Sequence, residues 1–313
     1  MVGREWAAGR CRSSLRPVTA LARSAWAVLG LNILTIIGGT IVRATGSGAG
    51  CGQNWPDCQG ELIPGFDEVA TVIEFSHRVV SGLALVAVIS LSLVTRRRFE
   101  SGTSARRWAF WSTMAILGEA AIGAWLVLAE LVEDNDSVLR AVSVPLHLVM
   151  TFLLLGSLTL LAWTLTTGKE THWGGPHTRA FVIGGIGLLV LGATGAVTAL
   201  ADTLFPAESL ADGIAADLEA EHFLTTLRVV HPFVAVGVAW YVMWFANRVR
   251  DQRAARYVSM LVLVQFIVGV LNVVFLTPIW SQVVHLLLAD FLWVSWVVLG
   301  ADLMVDETVP AEG

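Results

Sequence analysis

The feature that most limits how this chain can fold is a succession of long apolar runs, about eight in number, with short polar segments between them. They lie near 24–43, 71–95, 107–130, 138–165, 180–201, 222–246, 257–278 and 281–303. About 20 apolar residues carry a helix across the hydrocarbon core of a bilayer. Lipid offers no partner to backbone N–H and C=O groups, so such runs close their hydrogen bonds internally, as helices. The first run is too long for a signal-peptide core and no clear cleavage site follows it, which makes it a retained span. Composition agrees, because 14% of residues are charged against about 25% in a soluble domain. The expected class is an all-α integral membrane protein. No basic patch interleaved with aromatics points to nucleic acid.

The charges sort by loop. Arg4, Arg10, Arg12, Arg16 and Arg23 precede the first run, and Arg96, Arg97, Arg98, Arg106 and Arg107 fill the second loop. Lys169 and Arg179 lie in the fourth loop, and Arg248, Arg250, Arg253 and Arg256 in the sixth. The odd-numbered loops hold acids, among them Asp57, Glu61, Glu133, Asp134, Asp136, Asp217, Glu219 and Glu221. Eight spans place every basic segment on one side. The positive-inside rule makes that side cytoplasmic, with both termini on it.

The chain also resembles itself. LTIIGGTIVRA in the first span resembles LVLGATGAVTA in the fifth, at an offset of about 156. LGEAAIGAWLVL resembles VQFIVGVLNVVF, setting Glu119 over Gln265 and Gly123 over Gly269. PLHLVMTFLLLGS resembles VVHLLLADFLWVS, setting His147 over His285. Four spans per copy give both copies one orientation, a parallel repeat. Two four-helix bundles are therefore expected, at 24–165 and 180–303. A cytoplasmic linker, 166–179, joins them, and cytoplasmic segments 1–23 and 304–313 flank them.

Of the seven histidines, His172 and His177 fall in the linker and read as solvated. His77, His147, His231 and His285 fall in the second, fourth, sixth and eighth spans, all in the outer half of the membrane. Two imidazoles facing each other across a bundle hold haem iron from both sides, and no four-ligand zinc set accompanies them. One bis-histidine haem site per bundle is the expectation. The alternative is a set of polar helix contacts. His222 lies nine residues before His231, on the opposite helix face, and reads as interfacial.

Haem carries two propionates. Arg43, Arg78, Arg140 and Arg228 each lie near the outer boundary, as propionate contacts or as side chains snorkelling to headgroups. Glu74 lies three positions before His77 on the same helix face. It is placed to accept a proton beside the iron site, or else to pair with Arg78 or cap the helix. The outer loop GSGAGCGQNWPDCQGELIP has glycines for tight backbone and two cysteines, Cys51 and Cys58, expected to form a disulfide, structural or redox-active, on the oxidising face. Cys11, on the cytoplasmic side, is expected to stay a free thiol.

With RATGSGAGC…WPDC…G…P at 43–64, EFSHR at 74–78 and four helical histidines, the chain resembles the haem A synthase family over nearly its whole length. The resemblance implies oxidation of the ring-D methyl of haem O to a formyl group by successive hydroxylations with oxygen from water. It implies that His77 and His147 flank the substrate haem and that His231 and His285 ligate a haem b. It also implies that Glu74 is catalytic and that Cys51 and Cys58 are the family's cysteine pair. Haem O synthase and cytochrome oxidase assembly factors are the implied partners, and the cell membrane the location. One departure is His231-Pro232, where many members have His-Arg. A quinone-linked di-haem electron carrier is the rival reading, and a parallel-repeat transporter a third.

Overall fold

The computed structural model describes residues 15–219 and 222–305. Arg4, Arg10, Cys11, Arg12, Glu221 and the tail from 306 onward lie outside the described residues. The described residues are all-helical, with 77% of them in helices. The helices are α1 (Leu15–Ala44), α2 (Val69–Arg98), α3 (Ser104–Leu128), α4 (Val138–Thr167), α5 (Thr178–Leu204), α6 (Leu210–Glu219), α7 (Phe223–Arg228), α8 (Val230–Arg248), α9 (Arg253–Val274) and α10 (Ile279–Leu303). Among the described residues eight spans are long and apolar enough to cross a membrane, with α7 and α8 together forming the sixth. Their ends agree with the runs read from sequence to within a few residues.

Helix boundaries have local causes. Thr103 and Ser137 precede α3 and α4, and their hydroxyls accept from the N–H groups of Arg106 at 3.4 Å and Arg140 at 3.3 Å. These caps satisfy donors that a first turn leaves open. α4 stops at Gly168, where φ is 67° and only glycine is unstrained. The interruption between α7 and α8 falls at Val229. Pro232 causes it, having no N–H to donate to the Arg228 carbonyl four residues back. That carbonyl takes the Thr198 hydroxyl instead, at 3.5 Å.

A helix that is apolar all round becomes a buried one. In the most apolar 18-residue stretch of α4, 78% of the residues are buried, against 11% in that of α9. α4 packs on α1, α3, α5 and α10, and α10 packs on α9, α4, α1 and α5. One core therefore runs through both halves, from Leu29 and Val88 through Leu155 and Leu161 to Phe245 and Trp296. The outer helices turn apolar side chains outward, including Leu83, Val86, Leu263 and Ile267. That surface suits lipid.

The two ends of the bundle differ. One end carries the disulfide loop, 45–68, and the loops before α4 and α7. There Arg43 donates to Ala199 O at 2.7 Å, Thr203 Oγ1 at 2.6 Å and Gln282 Oε1 at 2.6 Å, tying α1 to α5 and α10. The opposite end carries the linker. Thr171 bridges Val305, the His172 N–H donates to Met304 O at 2.8 Å, and the Ser104 N–H donates to Glu170 at 2.7 Å. The acidic loop 203–221, one of the odd-numbered loops, contains α6. Leu210, Ile214 and Leu218 form an exposed apolar stripe along it.

Candidate functional site

Each span that carries a histidine presents it six to nine residues past its first residue, about 9–14 Å along the axis. All four rings back onto a glycine of the preceding span. A Cβ at Gly39 would stand 3.1 Å from His77 Cε1, at Gly123 3.6 Å from His147 Cε1, at Gly195 3.0 Å from His231 Cε1, and at Gly269 3.2 Å from His285 Cε1. The approaches at Gly39, Gly195 and Gly269 favour a residue without a side chain, whereas the 3.6 Å at Gly123 is ordinary van der Waals contact. His77 and His147 are close enough for their charges to interact, and so are His231 and His285. The structure thus brings the four predicted histidines together as two pairs.

The ring nitrogens give a test of fit to haem. Nδ1 of His77, of His147 and of His285 is buried without a hydrogen-bond partner. Nδ1 of His231 lies 3.1 Å from Thr194 Oγ1, and Nε2 of His285 lies 3.3 Å from Gln265 Nε2. Buried polar atoms are normally paired. Paired imidazoles with incomplete hydrogen bonding, each cradled by a glycine, fit an axial-ligand role for an iron porphyrin. Among the described residues no cluster of three or more His, Cys, Asp or Glu could hold a metal ion.

Two carboxylates flank the first pair. Glu74 is 3% exposed. Its Oε2 accepts the Cys51 N–H at 2.8 Å, and its Oε1 accepts Arg78 Nε at 3.0 Å. Arg78 also donates to the carbonyls of Asn54 at 2.6 Å and Asp57 at 2.5 Å. Glu74 therefore fastens the disulfide loop to α2. The Cys51–Cys58 disulfide is formed. Gly50 makes the docking possible, since a Cβ there would fall 2.4 Å from the Ala70 backbone. The second carboxylate was not read as a site residue. Glu119 Oε1 lies 3.5 Å from His147 Nδ1 and accepts the Thr151 hydroxyl, while Oε2 is buried and unpartnered. Its alignment with Gln265, which contacts His285, was the available signal.

The four arginines have protein partners. Arg43 bonds as described above, and Arg140 donates to the carbonyls of Glu133 and Asn135. Arg228 pairs with Asp217 and with Asp202 at 3.1 Å. His222 caps α7, its ring accepting the Leu224 N–H at 3.2 Å, and lies 3.4 Å from Asp136. His172 and His177 are exposed. Asp290 of α10 is fully buried, with neither carboxyl oxygen hydrogen-bonded. Intramembrane acids of this kind are uncommon and functional by default.

Comparison with known proteins adds the family. A Thermus thermophilus protein named protohaem IX farnesyltransferase is 42% identical over 289 residues, covering 89% of this chain and 48% of that protein. A protein of an Exiguobacterium species named haem A synthase is 34% identical over 149 residues, 48% of this chain and 46% of that one. A haem A synthase of Shouchella clausii is 41% identical over 96 residues, 31% of this chain and 32% of that one. This chain thus spans no more than about half the length of these curated relatives. The family model described as COX15-CtaA, cytochrome oxidase assembly protein, matches residues 22–297. By that match, and with a fold of eight membrane spans, the chain belongs to the COX15-CtaA family of cytochrome oxidase assembly proteins.

Proposed function

We propose that this protein is a membrane oxidoreductase of haem A synthesis, converting the ring-D methyl of haem O to a formyl group. The observation that carries the reading is the asymmetry between two otherwise similar histidine pairs. Glu74 lies one turn from His77 and Glu119 lies 3.5 Å from His147, whereas an amide, Gln265, stands beside His285. Oxidising a methyl group releases protons, which need acceptors close by. Relatives named haem A synthase support the same reading.

In this proposal 24–165 is the substrate bundle and 180–303 the haem b bundle. His77 and His147 orient haem O, and Glu74 and Glu119 receive protons near the reacting edge. His231 and His285 hold haem b, which supplies one-electron transfer when bound. Arg43, Arg78, Arg140 and Arg228 surround the end of the bundle where propionates would emerge. The disulfide loop faces outward and the basic linker end faces the cytoplasm, as the charge distribution favours. Haem O is the product class of protohaem farnesylation, and a relative bearing that name contains a segment similar to nine-tenths of this chain. That supports a haem O synthase as the functional partner.

The test is haem extraction from a host that makes haem O but no haem A, with and without this chain. New haem A or its hydroxymethyl precursor is the expected result. A folded protein carrying only haem b, with haem O unchanged, would favour the di-haem carrier.

A further inference from the structure

Asp290 belongs to neither histidine pair, and the reaction proposed above gives it no part. It is the twelfth of the 25 residues of α10, near the middle of the span. It is 0% exposed, and neither carboxyl oxygen has a hydrogen-bond partner. The register of α10 on α4 fixes its level. The Trp293 N–H donates to Phe152 O at 2.6 Å and the Trp163 N–H to Asp302 Oδ1 at 2.9 Å, partners 141 and 139 residues apart. The two helices therefore run side by side in one direction, with Asp290 level with Val149, Met150 and Thr151. Thr151 donates to Glu119, so a carboxyl group from each half lies near one depth. Asp290 comes five residues after His285, about 7.5 Å along the axis, and is turned about 140° from it but only about 60° from Trp293. It faces the packed interior between the halves, where α10 meets α4 and α1.

The internal repeat shows that packing does not ask for an acid at this place. With His147 set over His285, Phe152 falls on Asp290. Phe152 fills its position as an apolar ring, stacked on Trp293 at 5.7 Å and close to Gly192, where a Cβ would fall 2.6 Å from it. Replacing buried charged groups by packed apolar side chains is often neutral or stabilising. A buried carboxyl group without partners costs stability whether it is ionised or neutral. A cost with no return in packing points to a use of the proton itself.

We propose that Asp290 balances the charge of the second histidine pair, binding one proton for each electron that arrives there. The inference rests on the reading that His231 and His285 hold haem b. Methyl oxidation, R–CH3 + H2O → R–CHO + 4 e− + 4 H+, releases electrons and protons in equal number. An electron moved alone into a dry interior leaves an uncompensated charge, which is costly where the dielectric constant is low. An oxidised iron porphyrin between two imidazoles carries one positive charge, which a carboxylate balances. The reduced one carries none, which the neutral acid matches. The electron comes from the methyl group, and the proton forms an O–H bond at Asp290. The helices packed on α10 offer few rivals for this role. At the histidine level they hold His147 on α4, besides His285 itself. Arg43 on α1, Arg140 on α4 and Asp202 on α5 stand at the outer end, and Arg23, Arg179 and Asp302 toward the linker end. Beyond Tyr257, α9 has no titratable side chain.

The experiment is a spectroscopic titration of the haem b midpoint potential across neutral pH, on the full chain in nanodiscs from a host that makes no haem O. The potential should fall as pH rises, because reduction takes up a proton. Full coupling shifts the one-electron equilibrium tenfold per pH unit, about 59 mV. Asp290→Asn, close in shape, should lose most of that slope, with bound haem b and thermal unfolding unchanged, and Asp290→Glu should restore it. Redox-difference infrared spectra should show a carboxylic C=O band on reduction that is absent from Asp290→Asn. A potential independent of pH in the unaltered protein overturns the proposal, with no variant needed. So does a slope that persists in Asp290→Asn, or in Asp290→Leu where the asparagine variant fails to fold. A chain that purifies folded but without haem b overturns the reading of the second pair, and the proposal with it.

Discussion

Both halves of the molecule set two imidazoles against glycines of the preceding span, yet the side chains next to those imidazoles are of opposite kinds. One turn before His77 stands Glu74, and one turn before His231 stands Arg228. Beside His147 stands Glu119, and beside His285 stands Gln265. The first half surrounds its histidines with groups that accept protons. The second offers an amide, and a guanidinium already paired with Asp202 and Asp217. A shared scaffold explains the similarity, because close helix approach and ring placement are what the glycines provide. Differences at single positions then separate a pair suited to chemistry from a pair suited to holding a group still.

That contrast can be broken, starting with the residue expected to matter most. Glu74→Gln keeps an acceptor for the Cys51 N–H but removes the base. Haem A per mole of protein should fall about a hundredfold or more, with the haem b absorbance unchanged. Glu119→Gln gives the first half the amide of the second, and a fall of about tenfold in haem A is expected. The reciprocal Gln265→Glu should add no methyl oxidation, and activity appearing at the second site would undo the comparison. Gly195→Val presses on His231, where even a Cβ would stand only 3.0 Å away, and should lose about half or more of the bound haem b. Gly123→Ala, with 3.6 Å of room at His147, should change little. Smallest is Asp217→Asn. It leaves Arg228 with Asp202 and should lower stability by about 0.5–1 kcal/mol in denaturant unfolding.

The spans were legible because the lipid requirement is one-dimensional. About twenty apolar residues in a row announce themselves, and the charge sorting between loops supports their number. The rings' common depth could likewise be counted along each span, and at an offset of 156 Gly39 falls on Gly195, the two residues that touch His77 and His231. What could not be read is whatever depends on which element lies alongside. Arg43 meets Ala199, Thr203 and Gln282 from two distant helices, a partnership no local pattern encodes. Tryptophans 108, 173, 293 and 296 reach one cavity from three separate segments of chain. The break at Val229 lay between these cases, since Pro232 predicts it once the helix register is known. α6 was obscured by its acids, although Leu210, Ile214 and Leu218 carry the helical spacing.

The linker between the halves is fixed in its first half, to Ser104 by Glu170 and to the end of α10 by Thr171 and His172. Between these anchors and α5, Gly174 and Gly175 are exposed, and a Cβ at either would meet nothing within 4 Å. A protease cut there would sever the chain without releasing either piece, because α4, α5 and α10 share one core. Two fragments made from separate genes and meeting at that glycine pair should therefore co-purify as one particle.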